Sequence, residues 1–295
     1  MLKPKIVILG SMLEWQRSEW QKAAKELGLE VALVSMLDVV WEINEETEQA
    51  FFYNSNGKKH YFKNYDILIR RSAKPYHNQA MELARYMQSL EKLVINSRLE
   101  RWDKVAQALL FKKNNLPFPK SWQFFSQINL KKFLHKSSFP LIVKHIMGTK
   151  GNNIYKVHNQ AEALSILKDE NLGDYLWQEY LPANEDFRVI VVGDRCLGAM
   201  KRIVPTGDFR SNIEIGGTPK KVELTEEMQQ LAQKSARAMG YEICGVDIIY
   251  SDNKPYILEV NRTPIFEAFT KTLKISVAEE ILNYVIGKWI RKNNI

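Results

Sequence analysis

A chain of 295 residues with 45% hydrophobic side chains can bury a substantial core, and its length suggests two or more domains. The formal charge of +8 favours anionic partners such as nucleotide phosphates, acidic peptides, RNA or a membrane surface, but the basic residues are dispersed apart from a short C-terminal tail. No apolar run reaches the ~18 residues of a membrane span, the N-terminus lacks a signal-peptide cleavage pattern, and Cys196 and Cys244 sit in apolar settings, so the expectation is a reduced cytoplasmic protein with no membrane partner and with nucleic acid a poor candidate.

Residues 4–10 read as a buried strand, 14–27 as an amphipathic helix closed by Gly28, and 31–35 as a second strand. A β-α-β start implies a parallel sheet. Residues 50–53 and 60–62 flank Asn54-Ser55-Asn56-Gly57 and predict a hairpin. A strand over 66–70, a helix over 78–93 and a short strand over 94–96 complete a first α/β domain, residues 1–96. Ligands gather at strand ends in open α/β sheets. Arg70 and Arg71 lie at such an end and are candidates for holding an acid substrate.

A helix over 97–114 contains Lys104, and Leu116-Pro117-Phe118-Pro119 ends it. The strand over 139–144 places Lys144 just before a loop with Gly148 and Gly151. Glycines let backbone amides approach an anion, and a lysine beside them supplies a point charge for phosphate. The Gly-Lys-Ser/Thr ending of a Walker loop is missing, and a plain glycine hairpin tip is the alternative. After a helix over 159–169, the strand over 175–180 carries Gln178, Glu179 and Tyr180 and runs into Leu181-Pro182. Such a linker offers backbone groups to a purine edge, unless it is an ordinary edge strand. This closes a central unit, residues 97–181.

The last unit, residues 182–295, starts with a hairpin of 187–192 and 195–202 around Gly193-Asp194. Arg188, Arg202 and Arg210 lie in or beside its strands, Arg188 among apolar neighbours. Buried guanidiniums need anions, either phosphates and carboxylates of a ligand or the internal partners Asp186, Asp194 or Asp208. A helix over 225–239, capped by Thr225, leads to a hairpin over 247–260 and a closing helix over 277–290. Glu259 and Asn261 are two apart on one strand and project together, and Asp247 on the partner strand can lie beside them. Two carboxylates and an amide oxygen make a hard site that Mg²⁺ prefers when phosphates complete its shell. The alternative is a hairpin with solvated acids.

In order and spacing, Lys104 in Arg-Trp-Asp-Lys, the Lys144 glycine loop, Gln178-Glu179-Tyr180, Asp186-Phe187-Arg188, Gly207-Asp208-Phe209-Arg210-Ser211-Asn212, Gly245-Val246-Asp247 and Leu258-Glu259-Val260-Asn261 resemble the ATP-grasp ligases, and most closely their RimK-like branch. The resemblance implies an ATP-grasp fold, α/β and α+β, in which a parallel-sheet N-terminal domain precedes two α+β subdomains that sandwich ATP. It implies phosphate contacts from Lys104, Lys144, Gly148 and Gly151, and adenine held by backbone from Gln178 to Leu181. Glu179 or Asp186 would meet the ribose or amino group, and Arg210, Ser211 and Asn212 the triphosphate. Asp247, Glu259 and Asn261 would bind two Mg²⁺ ions, with Mn²⁺ as a substitute. Arg202, with Lys144 and Arg210, would stabilise the phosphorylated intermediate. The implied reaction turns a carboxylate (of a small acid, a peptide or a protein C-terminus) into an acyl phosphate, which an amine such as an amino acid converts to an amide. That agrees with the lack of any evident Ser/His/Asp or Cys/His pattern, since phosphoryl transfer needs positioning and charge neutralisation. Homodimers or homotetramers are implied.

Two segments depart from the family pattern. The loop reads Gly151-Asn152-Asn153-Ile154 where a Gly-x-x-Gly-x-Gly-Val run is expected, and asparagine tolerates left-handed backbone angles. Arg262-Thr263-Pro264-Ile265-Phe266 stands where Ser-Pro-Gly is usual, so an altered amino-acid pocket is expected and glutamate is left open. Arg262 is a new cation there, for a substrate carboxylate or for solvent. Competing readings are a non-catalytic nucleotide-binding module, which has little reason to keep the metal ligands, and an RNA- or ribosome-associated protein.

Overall fold

The computed structural model describes residues 3–97, 103–148, 153–168, 170–213 and 216–294. The N-terminal region runs β1 (Ile6–Leu9), α1 (Glu14–Leu27), β2 (Val31–Val34), β3 (Val40–Ile43), β4 (Glu48–Tyr53), β5 (Lys59–Tyr61), β6 (Ile67–Arg70), α2 (His77–Ser89) and β7 (Leu93–Ile95). Helix α1 stops where Gly28 takes φ 62° and returns its N–H to the Lys25 carbonyl. Strands β2, β1, β6 and β7 form a parallel sheet in that order. Strands β1 and β6 are buried along their length, which is why they read as unbroken apolar runs without alternation. The expected hairpin is β4 paired with β5. A third strand, β3, pairs with β4 and was not expected, because Val40-Trp41-Glu42-Ile43 is short and mostly exposed.

The central region contains α3 (Lys104–Lys113), β8 (Ser121–Gln123), α4 (Gln127–His135), β9 (Leu141–His145), β10 (Ile154–Val157), α5 (Gln160–Ile166) and β11 (Tyr175–Glu179). Asp103 caps α3 by accepting the Ala106 N–H at 2.8 Å. Strands β10, β9, β11 and β8 form an antiparallel sheet in that order. Strand β9 starts at Leu141, two residues later than expected, after a Pro140 that has no N–H to give a ladder. Leu130, Leu134, Val143 and Trp177 belong to a core of this sheet's own.

The C-terminal region contains β12 (Glu185–Val192), β13 (Arg195–Ile203), β14 (Thr218–Val222), α6 (Glu226–Met239), β15 (Ile243–Ser251), β16 (Lys254–Asn261), α7 (Glu267–Leu273) and α8 (Val277–Asn293). An antiparallel sheet orders these strands β14-β13-β12-β15-β16. Val189, Val191, Val246 and Ile248 pack against α6. They share that core with Phe111 of α3 and with Leu116, although the sequence groups α3 with the central unit. Side chains alternate along a strand, so Asp186, Arg188, Ile190 and Val192 all lie on the opposite face. Ile190 and Val192 bury one end of that face in a core built with Ile6, Ile8 and Trp20 of the N-terminal region and Phe266 and Ile281 near the C-terminus. The other end carries the charged residues. No helix among the described residues is long and apolar enough to cross a membrane.

One residue ties the first region to the last. Asn96, held at φ 53°, accepts the N–H groups of Glu242 (2.7 Å) and Ile243 (3.0 Å). Its amide nitrogen donates to the Ile243 carbonyl at 2.9 Å and to the Arg262 carbonyl at 3.4 Å.

Candidate active site

Strand register builds the charged face. Arg188 on β12 lies opposite Asp247 on β15, and Asp247 lies opposite Glu259 on β16. In the neighbouring row Asp186 on β12 faces Arg202 on β13. Arg188 grips Asp247 through Nε (2.8 Å) and Nη2 (2.6 Å). Arg202 grips Asp186 in the same bidentate way, at 2.6 and 2.5 Å, and its Nη2 also reaches Asp247 at 3.1 Å. The Ser211 hydroxyl donates to Asp186 at 2.5 Å. Asp186, Arg202 and Asp247 are each at most 4% exposed. Burial alone would raise the Asp247 carboxyl, but the Arg188 and Arg202 guanidiniums together hold it below the usual carboxylate range. Paired charges of this kind explain how the sheet tolerates ions in its interior.

Lys144 on β9 and Lys104 at the start of α3 close the other side of a cavity of about 150 Å³, which Asp186, Arg202, Asp247 and Glu259 also line. The Lys104 ammonium donates to the carbonyls of Gly148 (2.7 Å) and His145 (3.2 Å). Burial depresses both lysines, and each lacks a carboxylate at ion-pair distance among the described residues. For Lys144, burial first and the Lys104 charge second lower the ammonium to about 8. Buried cations left without counter-ions suit a polyanion.

Most of the predicted site residues meet here. Gly148, Gln178, Glu179, Tyr180, Leu181, Arg210, Ser211 and Asn212 line the same cavity, and Ile142, Ile154 and Leu258 give it apolar walls. Several have local duties the sequence did not reveal. Glu179 accepts the Lys120 N–H at 2.7 Å, the Gln178 amide donates to Ser121 Oγ at 2.8 Å, and Lys156 sits 3.8 Å over the Tyr180 ring. Asp186 is engaged by Arg202 and Ser211, which argues against a ribose contact from its side chain. Arg210 holds Asp208 in its own loop, at 2.8 Å. Gly151 lies outside the described residues. Asn153, after the glycine loop, does take a left-handed φ of 55°. Sequence reading missed Gln107, whose Oε1 accepts the Val260 N–H at 2.8 Å and fixes β16 between Glu259 and Asn261. A lone glutamine in a helix carries no signal of such a role.

The donor set fits a hard divalent cation. Asn261 Nδ2 lies 2.8 Å from Glu259 Oε1, and rotating that amide would turn its oxygen inward. Asp247 retains little free lone-pair capacity beside its arginines, so Glu259 and Asn261 are the accessible donors.

A second cavity of about 340 Å³ shares Asn212 and Glu259 with the first, and Arg71, Lys74, Arg188 and Asn261 line it too. Arg70 and Arg262 line neither cavity. Arg71, the residue after β6, lines the second cavity, while Arg70 is buried towards Arg262 and Tyr241, with no hydrogen-bond partner for its side-chain nitrogens among the described residues. The direct contact of Arg70 with a substrate expected from its strand-end position is not supported by this placement.

Residues 102–285 match the family model of the RimK-like ATP-grasp domain. The chain belongs to the RimK-like ATP-grasp family. As a member it is an ATP-dependent carboxylate–amine ligase, of a family that uses ATP with Mg²⁺. It is 27% identical over 276 residues to a probable alpha-L-glutamate ligase of Haemophilus influenzae (strain PittEE), covering 90% of this chain and 92% of that protein. It is 39% identical over 151 residues to probable alpha-L-glutamate ligase 1 of Shewanella sp. (strain MR-4), covering 50% of each. Among solved structures it resembles the ATP-grasp ligase PsnB complexed with minimal precursor, with a TM-score of 0.73, 18% identity and coverage of 97% and 99%. D-alanine–D-alanine ligase from Bacillus anthracis follows the same fold, with a TM-score of 0.67, 14% identity and coverage of 99% of each chain.

Proposed function

We propose that this RimK-like ligase activates a carboxylate as an acyl phosphate in the first cavity and joins it to an amino acid entering through the second. The observation that carries this reading is the meeting of the two cavities at Asn212 and Glu259, between two lysines with no ion-pair partner among the described residues and a sheet face of arginine–carboxylate pairs. Adenine lies between the apolar walls and the backbone from Gln178 to Leu181. Lys104, Lys144 and Arg210 meet the phosphates, and Ser211 and Asn212 approach them from the Asp208 loop. Glu259 and Asn261, with Asp247 behind them, would hold Mg²⁺, which would supply charge neutralisation at the phosphates; two ions, or Mn²⁺ in their place, would suit an all-oxygen donor set.

An oxygen of the substrate carboxylate attacks the γ-phosphorus, and the bond to the β-phosphate oxygen breaks to release ADP. The amine nitrogen then attacks the acyl carbon, phosphate leaves with the bonding electrons, and the nitrogen loses a proton. Arg188 and Arg202, fixed by Asp247 and Asp186, present oriented N–H groups where negative charge gathers. Ordering these groups in advance spares the reorganisation that water would require.

Hydroxylamine in place of the amine separates the first half-reaction from the second. Incubation with ATP, Mg²⁺, hydroxylamine and a pool of N-blocked amino acids, N-blocked peptides and small carboxylic acids is expected to release ADP and give a hydroxamate visible by mass spectrometry. ATP binding with no ADP release from any acid would sink the ligase reading in favour of a binding module.

A further inference from the structure

The second cavity contains a cation whose charge nothing among the described residues answers. Arg71 is 5% exposed, and burial lowers its guanidinium to about 10. Its Nη2 donates to the Pro264 carbonyl at 2.6 Å, and its guanidinium carbon stands 5.5 Å from the Phe266 ring centroid. Neither partner is charged. The half-buried Arg188 and the buried Arg202 each hold a carboxylate in a bidentate grip, whereas Arg71 has no acid at ion-pair distance among the described residues. A buried guanidinium is stable where a planar anion completes its donor fork, and a carboxylate matches that geometry.

The surroundings suit a small zwitterion. Ser11 and Ser72 bring hydroxyl groups to the wall, and Met12, Leu13 and Ile265 bring apolar surface. Arg71 follows directly after β6, whereas Glu259 and Asn261 come from β16, so the cavity runs between the N-terminal domain and the catalytic sheet. We propose that Arg71 anchors the free α-carboxylate of the amine-donating amino acid, so that its amino group points to the junction with the nucleotide cavity. The substrate class is then an amino acid with an unblocked carboxylate, and an amine from the interior of a peptide is excluded. This inference rests on the ligase reading and goes further by naming the handle. It also changes the role expected of Arg71, from the acid that is activated to the amine that attacks.

Saturation-transfer NMR tests it directly. The probes are the twenty L-amino acids as one pool and their C-terminal amides as another, each added to the protein holding Mg²⁺ and a non-hydrolysable ATP analogue. At least one free amino acid should bind, and its amide should bind at least tenfold more weakly. Arg71→Gln should lose the difference and Arg71→Lys should keep part of it. The affinity of each variant for the ATP analogue reports whether the fold is intact. Equal binding of acid and amide, undiminished binding by Arg71→Gln, or no binding of any free amino acid would each overturn the proposal. Hydroxamate formation without carboxylate-dependent amine binding would refute the anchor and leave the ligase standing. Arg71-dependent amino-acid binding with no ADP release from any acid would do the reverse.

Discussion

Nucleotide binding should take up protons above pH 8, and Lys144 is the reason. It is 7% exposed, and burial together with the Lys104 ammonium lowers it from the ordinary lysine value of 10.5 to about 8. That drop corresponds to about 3 kcal/mol against the charged form. A triphosphate beside the ammonium opposes both causes and raises it again. The free protein is then partly deprotonated where the complex is not, so binding recruits a proton from solvent. At pH 8 the uptake is about 0.5 proton, at pH 9 about 0.9, and affinity falls nearly tenfold per pH unit above 8 until the complex itself begins to titrate. Calorimetric titration with the ATP analogue at pH 8 and 9, in two buffers of different ionisation enthalpy, gives the number directly. Lys144→Arg keeps the charge without titrating and should lose most of the uptake. Heats independent of buffer at both pH values, or equal uptake in Lys144→Arg, would refute the reasoning.

Other consequences are open to measurement. Arg202→Met leaves Asp186 and Asp247 short of a buried counter-charge and should cost about 3–5 kcal/mol by urea denaturation, while the double variant with Asp186→Asn should recover part of it. A loss below 1 kcal/mol in the single variant would mean that the pairs are not buried as described. Glu259→Gln should raise the Mg²⁺ concentration giving half-maximal ADP release at least tenfold and leave metal-free nucleotide binding alone; an unchanged Mg²⁺ profile removes Glu259 from the metal site. Asn96→Ala strands the N–H groups of Glu242 and Ile243 and should destabilise by about 1–3 kcal/mol, detectable as a lowered Tm. Burial pushes the Cys196 thiol up to about 11 and Cys244 higher still, so neither should react readily with a thiol reagent at pH 8 until the chain is unfolded.

The charged face was legible because the strand period is two. Once 247–260 reads as a hairpin, Glu259 and Asn261 must share a side, and the observed register sets Asp247 directly across from Glu259. The sequence could not say that Asp247 would be gripped by Arg188 and Arg202, since that depends on which strand lies beside β15. Internal pairing with Asp186, Asp194 or Asp208 had been one of two readings for these arginines; it is realised for Arg202 with Asp186 and for Arg210 with Asp208, whereas Arg188 pairs with Asp247, which had been read as a metal ligand. Short elements escaped for local reasons. Strand β8 has three residues, β14 is the mostly polar Thr-Pro-Lys-Lys-Val, and α7 spans only seven residues. Asn96 was also invisible, because an asparagine ending a strand looks like turn chemistry until the partner backbone arrives from far along the chain.

The way the cores are divided constrains how the molecule can move. Ile6, Trp20 and Ile69 are packed with Ile190, Phe266 and Leu282, so the first and last regions cannot slide apart without opening an apolar interior. The sheet of β8 to β11 keeps its apolar side chains to itself, and Lys144 reaches the charged face only across a cavity. Motion about the segments flanking that sheet therefore breaks no core, whereas cutting the chain after residue 96 does. Fragments split at that point should be insoluble apart and recover when expressed together, as two halves of one interior.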